Sequence, residues 1–119
     1  NTYTSFLNEE SALPMMYMED AIRATIELME VPKENVKIRS SYNLAGISFT
    51  PKQLGNAIAN QKDGFTMQYA PDFRQAIADS WPKSIDDSSA QNDWGWKMKY
   101  DLSEMVKTML ENVDISKLN

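Results

Sequence analysis

Between Gln68 and Lys97 the chain gathers all three of its Trp, two of its five Pro and five Asp within thirty residues. Pro71 and Pro82 each fix φ and remove a backbone donor, so this stretch cannot run as one helix and has to turn repeatedly. Its density of large side chains and turn formers implies a shaped surface, not a plain core helix. The chain carries no His, no Cys and only four Gly, at 46, 55, 64 and 95. A segment suited to recognition thus stands in a chain with almost no catalytic vocabulary, which suggests half of a machine.

A length of 119 residues allows one domain, spanning 1–119, with one modest core. That is short for an enzyme carrying its own cofactor fold. Without Cys there are no disulfides and no thiol chemistry, which fits a reducing cytoplasm. Without His or Cys the usual zinc sites and the Ser/His/Asp and Cys/His arrangements are ruled out, and no metal is expected. The glycines lie nine or more residues apart, so no phosphate cradle exists and no cofactor is expected on this segment alone. The net charge of −5 comes from 12 basic and 17 acidic residues, with no basic patch to neutralise phosphates, which argues against nucleic acid. The longest apolar candidate, Leu13–Met18, is broken by Glu19 and Asp20, far short of the ~20 residues of a membrane span. No signal peptide is visible. A chain starting at Asn1 in place of Met reads as a processed, proteolysed or truncated product.

Alternation predicts strands over Thr2–Leu7, Leu13–Met18 (largely buried), Ser41–Gly46 and Phe65–Tyr69. A helix is predicted over Glu19–Glu30, with Ala21, Ile22, Thr25, Ile26, Leu28 and Met29 as its apolar face and Val31-Pro32 as its stop. Thr50-Pro51-Lys52-Gln53 is a helix start with N-cap, Pro at the first position and Gln three residues on. Leu54, Ala57 and Ile58 would form that helix's buried stripe. A short helix carrying Phe73, Ala76 and Ile77 ends at Trp81-Pro82. Asp86-Asp87-Ser88 caps another, which closes on Gly95 in a left-handed C′ position. The last helix starts at Asp101 with Glu104 three residues on, shows Leu102, Met105, Val106, Met109, Leu110 and Val113 on one face, and frays after Asp114. Short strands alternating with helices argue an α/β or α+β layer structure.

Few residues speak for chemistry. Asp86-Asp87 fits an N-cap better than a metal site. The carboxylate pairs Glu19-Asp20 and Asp72/Asp79 do not announce acid–base catalysis, and the first pair belongs at a helix start. Arg74 either pairs with Asp72 or Asp79 on the surface or binds a carboxylate or phosphate. Trp81, held by Pro82, either walls a small ligand or plugs the core. Trp94 and Trp96 read as packing residues, and Met15-Met16-Tyr17-Met18 either fills a core or borders a cofactor.

Three runs carry a resemblance: LPMMYMEDAIRATIELME at 13–30, SSYNLAGISFTPKQL at 40–54 and YAPDFRQAIADSWPKSIDDSSAQNDWGWK at 69–97. They resemble the C-terminal part of the NAD-dependent L-threonine 3-dehydrogenases, in the extended short-chain dehydrogenase/reductase superfamily that includes the nucleotide-sugar epimerases and dehydratases. The resemblance covers nearly the whole chain, departing at Asn60–Gly64 and after Asn112. It implies the C-terminal substrate-binding segment of a Rossmann-type α/β fold, whose N-terminal NAD-binding domain lies outside residues 1–119. The family's Tyr-x-x-x-Lys is absent: four residues after Tyr3, Tyr17, Tyr42, Tyr69 and Tyr100 stand Leu7, Ala21, Gly46, Phe73 and Glu104. No catalytic residue is therefore expected in the segment.

The resemblance places Trp81, in Asp-Ser-Trp-Pro, at the threonine site, and Arg74 where epimerase relatives bind a substrate phosphate. It makes Tyr42–Gly46 the last parallel strand of the central sheet. The intact parent would oxidise L-threonine to 2-amino-3-oxobutanoate with NAD, and the segment alone would be inactive. Cut from its sheet neighbour, the segment would self-associate, unlike the family's usual dimer, which mainly uses upstream helices. Two other readings are a nucleotide-sugar epimerase or dehydratase, against which Asp-Ser-Trp-Pro argues, and a stand-alone non-catalytic binding module.

Overall fold

Two helices begin as their first residues dictate in the computed structural model, which describes residues 1–113. Thr50 Oγ1 accepts the Gln53 N–H at 3.2 Å while Gln53 Oε1 accepts the Thr50 N–H at 2.9 Å. Asp101 and Glu104 repeat this reciprocal box at 2.8 and 3.4 Å. Each box satisfies two backbone donors that a helix start otherwise leaves without partners. The fraying expected after Asp114 lies outside the described residues.

The chain order is β1 (Thr2–Ser5), β2 (Leu13–Met15), α1 (Met18–Glu30), β3 (Ile47–Phe49), α2 (Pro51–Ala59), β4 (Thr66–Tyr69), α3 (Arg74–Asp79), α4 (Ser88–Trp94) and α5 (Leu102–Asn112). β1 pairs in parallel with β4, Thr2 opposite Thr66 and Ser5 opposite Tyr69. β2 pairs antiparallel with β3, Leu13 opposite Phe49 and Met15 opposite Ile47. α2 packs on β4 and α5. The architecture is α/β, with helices between short strands.

Ser41–Gly46, expected as a parallel strand, is not one. No strand pairs with it among the described residues, and the ladder forms one step later, antiparallel, at β3. A Cβ on Gly46 would lie 2.6 Å from the Met15 carbonyl oxygen, so only Gly lets the chain enter β3 this close to β2.

The expected apolar face of α1 is only partly covered. Asp20 and Ala24 are the buried residues and Ala21 and Leu28 are half-buried, while Ile22, Ile26 and Met29 are 54, 50 and 80 % exposed. The Asp20–Ala24 side is the one that meets Trp96. Met15 and Met18 are exposed too, against the largely buried strand expected there. On α5, Val106 is buried, but Met109, Leu110 and Val113 are open. On α2, Leu54, Ala57 and Ile58 are half-buried and Gly55 is the buried residue.

Among the described residues the buried apolar side chains are only Ala24, Ile47, Ala90, Trp96 and Val106. The Cα radius of gyration is 16.9 Å, against about 13.5 Å for a compact domain of this length. An open shape and a thin core go together.

Candidate functional site

β1 and β4 continue side by side beyond their ladder. The Ala70 N–H donates to Ser5 O at 2.8 Å and the Asp72 N–H to Phe6 O at 3.3 Å. This register sets Phe6 under the start of α3. The Arg74 guanidinium stacks 3.5 Å from the Phe6 ring centroid, a contact favourable for a cation over a π face. Its Nε and Nη2 bond Asp72 at 3.0 and 2.5 Å. The Arg74 side chain and its backbone N–H hold the Asp72 carboxyl below the usual range, and Asp72 in turn raises Arg74. The Arg74–Asp72 ion pair expected as one alternative is therefore present. Nη1 has no protein hydrogen bond among the described residues.

α3 ends with Ser80 Oγ on the Ile77 carbonyl and the Trp81 N–H on that of Ala78. Pro82 stops the helix there. Trp81 is 57 % exposed, so it plugs no core. Its indole borders two adjoining clefts. One, of about 180 Å³, is apolar and lined by Phe6, Leu7, Leu13, Arg74, Ile77 and Trp81 among others. The other, of about 320 Å³, is polar and includes Ser11, Gln75, Asp79 and Lys83. The structure brings Trp81 and Arg74 to one cleft.

A second cluster is structural. Trp96, buried, packs with Ala24 and Ala90, and Met16, Tyr42, Leu44 and Trp94 surround it. Its Nε1 donates to Ala45 O at 3.0 Å, and Arg23 lies 4.7 Å over its ring. Arg23 bonds Asp20, Glu27 and the Lys97 carbonyl at 2.9, 2.6 and 2.5 Å. Burial pushes the Asp20 carboxyl up. The Tyr100 N–H, Arg23 and the Lys99 N–H together outweigh it and hold the group below the ordinary value. Gly95 closes α4 at φ 73, the left-handed cap expected of it.

The expected Asp86-Asp87 cap divides its labour. Asp86 accepts the Ser88 N–H at 3.0 Å, which lowers its carboxyl. Asp87, the N-cap residue, makes no side-chain cap bond. It bonds the Ala45 N–H at 3.2 Å and Gln91 Nε2 at 2.6 Å. The residue that sequence reasoning missed is Gln75, which ties α3 to the loop after β1. Only its spacing to Asp79, four residues on, hinted at a bond. Among the described residues no group of three or more Asp, Glu, His or Cys could hold a metal, and no helix is long and apolar enough to cross a membrane.

No family model matches the chain. It is 48 % identical over 105 residues to the mitochondrial L-threonine 3-dehydrogenase of Bos taurus, covering 87 % of this chain and 28 % of that one. An uncharacterized epimerase/dehydratase of Staphylococcus aureus is 45 % identical over 113 residues, covering 94 and 35 %. In the holo structure of a GalE-like L-threonine dehydrogenase from Cupriavidus necator the match is 62 % identical with a TM-score of 0.88, over 93 % of this chain and 36 % of that one. The L-threonine dehydrogenase of Clostridium difficile gives 40 % and 0.87, over 92 and 35 %. The chain thus spans about a third of the length of the relatives it matches. The relatives it matches are L-threonine 3-dehydrogenases and epimerase/dehydratases.

Proposed function

We propose that residues 1–119 are the substrate-side domain of an NAD-dependent L-threonine 3-dehydrogenase. The observation that carries the reading is the 62 % identity and 0.88 TM-score to a threonine dehydrogenase over 93 % of the chain. The reaction removes a hydride from C3 of threonine to the nicotinamide of NAD and a proton from the 3-hydroxyl, leaving 2-amino-3-oxobutanoate and NADH. The base that takes the proton and the fold that holds NAD belong to the N-terminal part. No Tyr-x-x-x-Lys and no Gly-rich cradle lie within residues 1–119.

The segment's own contribution is binding and exclusion of water. Trp81 walls the substrate, its indole bordering both clefts beside α3. Arg74, which lines the apolar cleft while paired with Asp72, is the cation there that would attract a substrate carboxylate. The proposed compartment is the cytoplasm, since a cysteine-free chain suits reducing conditions. The epimerase/dehydratase relative supports a second reading, in which Arg74 meets a substrate phosphate.

The full-length enzyme containing this segment, given L-threonine and NAD, is expected to form NADH and 2-amino-3-oxobutanoate. No NADH from threonine, together with turnover of a nucleotide sugar such as UDP-glucose, would replace the first reading by the second.

A further inference from the structure

We propose that Gln75 sets the width of the Trp81 cleft and is a positioning residue for the substrate. The proposal rests on the reading of that cleft as the substrate face. The polar cleft has two walls: the loop of residues 8–12 between β1 and β2, and α3 continuing to Trp81. Among the described residues, every hydrogen bond between that loop and α3 passes through one side chain. Gln75 Oε1 accepts the Asn8 N–H at 2.7 Å, and its Nε2 donates to Ser11 Oγ at 2.7 Å. The same Nε2 donates to Asp79 Oδ1 at 2.7 Å, one turn further along α3. The amide is thereby held from three directions, with its acceptor and donor sides assigned by their partners. Gln75 is half-buried while its neighbours Arg74 and Ala76 are exposed.

The consequence is geometric. The loop has internal bonds of its own, Ser11 N–H to Asn8 O and Glu10 N–H to Asn8 Oδ1, which give it a shape but no position against α3. Its remaining hydrogen-bonded anchors, the Glu9 carbonyl and Glu10 carboxylate on Lys52, tie it to the start of α2 and not to α3. Gln75 therefore decides how far the loop stands from the indole. It reaches the reacting atoms only through the wall it holds, so its loss should weaken substrate binding more than it slows the chemistry.

The test uses the full-length enzyme and two readouts. Exchange of the Asn8 amide hydrogen reads the tie itself, and threonine kinetics read its use. Gln75→Leu and Gln75→Glu should each speed Asn8 exchange and raise KM for threonine about tenfold, leaving kcat and NAD affinity little changed. Gln75→Glu combined with Asp79→Asn should restore both. In that pair the amide introduced at position 79 donates to the carboxylate introduced at position 75. The second oxygen of that carboxylate still accepts from Asn8, and the Ser11 hydroxyl turns to donate.

Faster Asn8 exchange with unchanged threonine KM overturns the role of Gln75 alone, as does a double variant that stays impaired. Unchanged Asn8 exchange in Gln75→Leu overturns the tie. A wild-type enzyme that does not oxidise threonine, or a Trp81→Ala enzyme with wild-type threonine kinetics, overturns the substrate reading of the cleft and the positioning role with it.

Discussion

The carboxylate of Asp20 accepts the backbone N–H of Tyr100 at 3.0 Å across eighty residues of chain. Lys99 donates to the same carboxylate at 3.2 and 3.1 Å, and Arg23 at 2.9 Å. One buried acid on the first turn of α1 thus fixes the approach to α5. Asp20→Asn keeps one acceptor but removes the charge that faces Arg23. It should lower stability by about 2–3 kcal/mol, read as the midpoint and slope of denaturant unfolding at neutral pH.

The pH dependence follows from the direction of the Asp20 shift. Its folded-state value is depressed below the ordinary 3.8. Its stabilisation is therefore present above that value and is lost as pH falls through the folded one. Wild type should lose stability steeply below pH 3.8. Asp20→Asn should start lower at neutral pH and show a shallower acid limb, with Asp72 and Asp86 still contributing theirs. Parallel acid limbs in the two proteins would show that Asp20 does not drive the loss.

Tyr100 packs against Tyr17 with tilted rings, 4.4 Å between centroids, and donates its hydroxyl to Glu19. The Glu19 hydrogen bond is the largest cause that pushes the phenol up to about 12. Ultraviolet titration should find a tyrosine that ionises at about 12. Glu19→Gln should bring it back toward 10.0. If the titration curve is unchanged by that substitution, the bond is not formed in solution.

In the full-length enzyme, Trp81→Ala should impair threonine oxidation far more than it weakens NAD binding. Loss of a wall that positions the substrate can cost on the order of a hundredfold. Wild-type kcat/KM for threonine in the purified variant would make Trp81 merely structural.

Residues 1–119 alone should neither bind NAD at micromolar concentration nor turn over threonine, since they hold no backbone cradle for a pyrophosphate. They should also self-associate. Ile22, Ile26 and Met29 on α1, with Met109 and Leu110 on α5, leave apolar faces in water that a second copy can cover. Calorimetry with NAD checks the first expectation. Sedimentation over a range of concentrations checks the second, and a monomer that stays folded at high concentration would contradict it.

What could be read from the sequence was written in neighbouring residues. The Thr50 and Asp101 boxes and the left-handed Gly95 each depend on residues within a few positions, and each stands where its local pattern placed it. What could not be read depended on distant partners. The backbone donors to Asp20 lie 79 and 80 residues away, and two of the three groups on Gln75 lie 67 and 64 residues away. The periodicity of α1 correctly marked a helix but not which side its neighbours would take. Tyr42–Gly46 has the composition of a strand, yet a strand needs a neighbouring ladder as well as a pattern. Among the described residues that neighbour is missing. Trp81 and Arg74 were legible as unusual residues, while their meeting at one cleft required the β1–β4 register that carries Phe6 beneath Arg74.

The parallel pairing of β1 with β4 also dictates a timetable. Thr2 meets Thr66 only after the intervening β2, α1, β3 and α2 have left the ribosome. At a synthesis rate of about 5–20 residues per second, that interval is roughly 3–13 s. During it Thr2–Ser5 waits without β4, its partner in the fold, and its open hydrogen-bonding groups are free to pair with another strand. Newborn chains should therefore be at their most vulnerable to mispairing of Thr2–Ser5 before Tyr69 emerges.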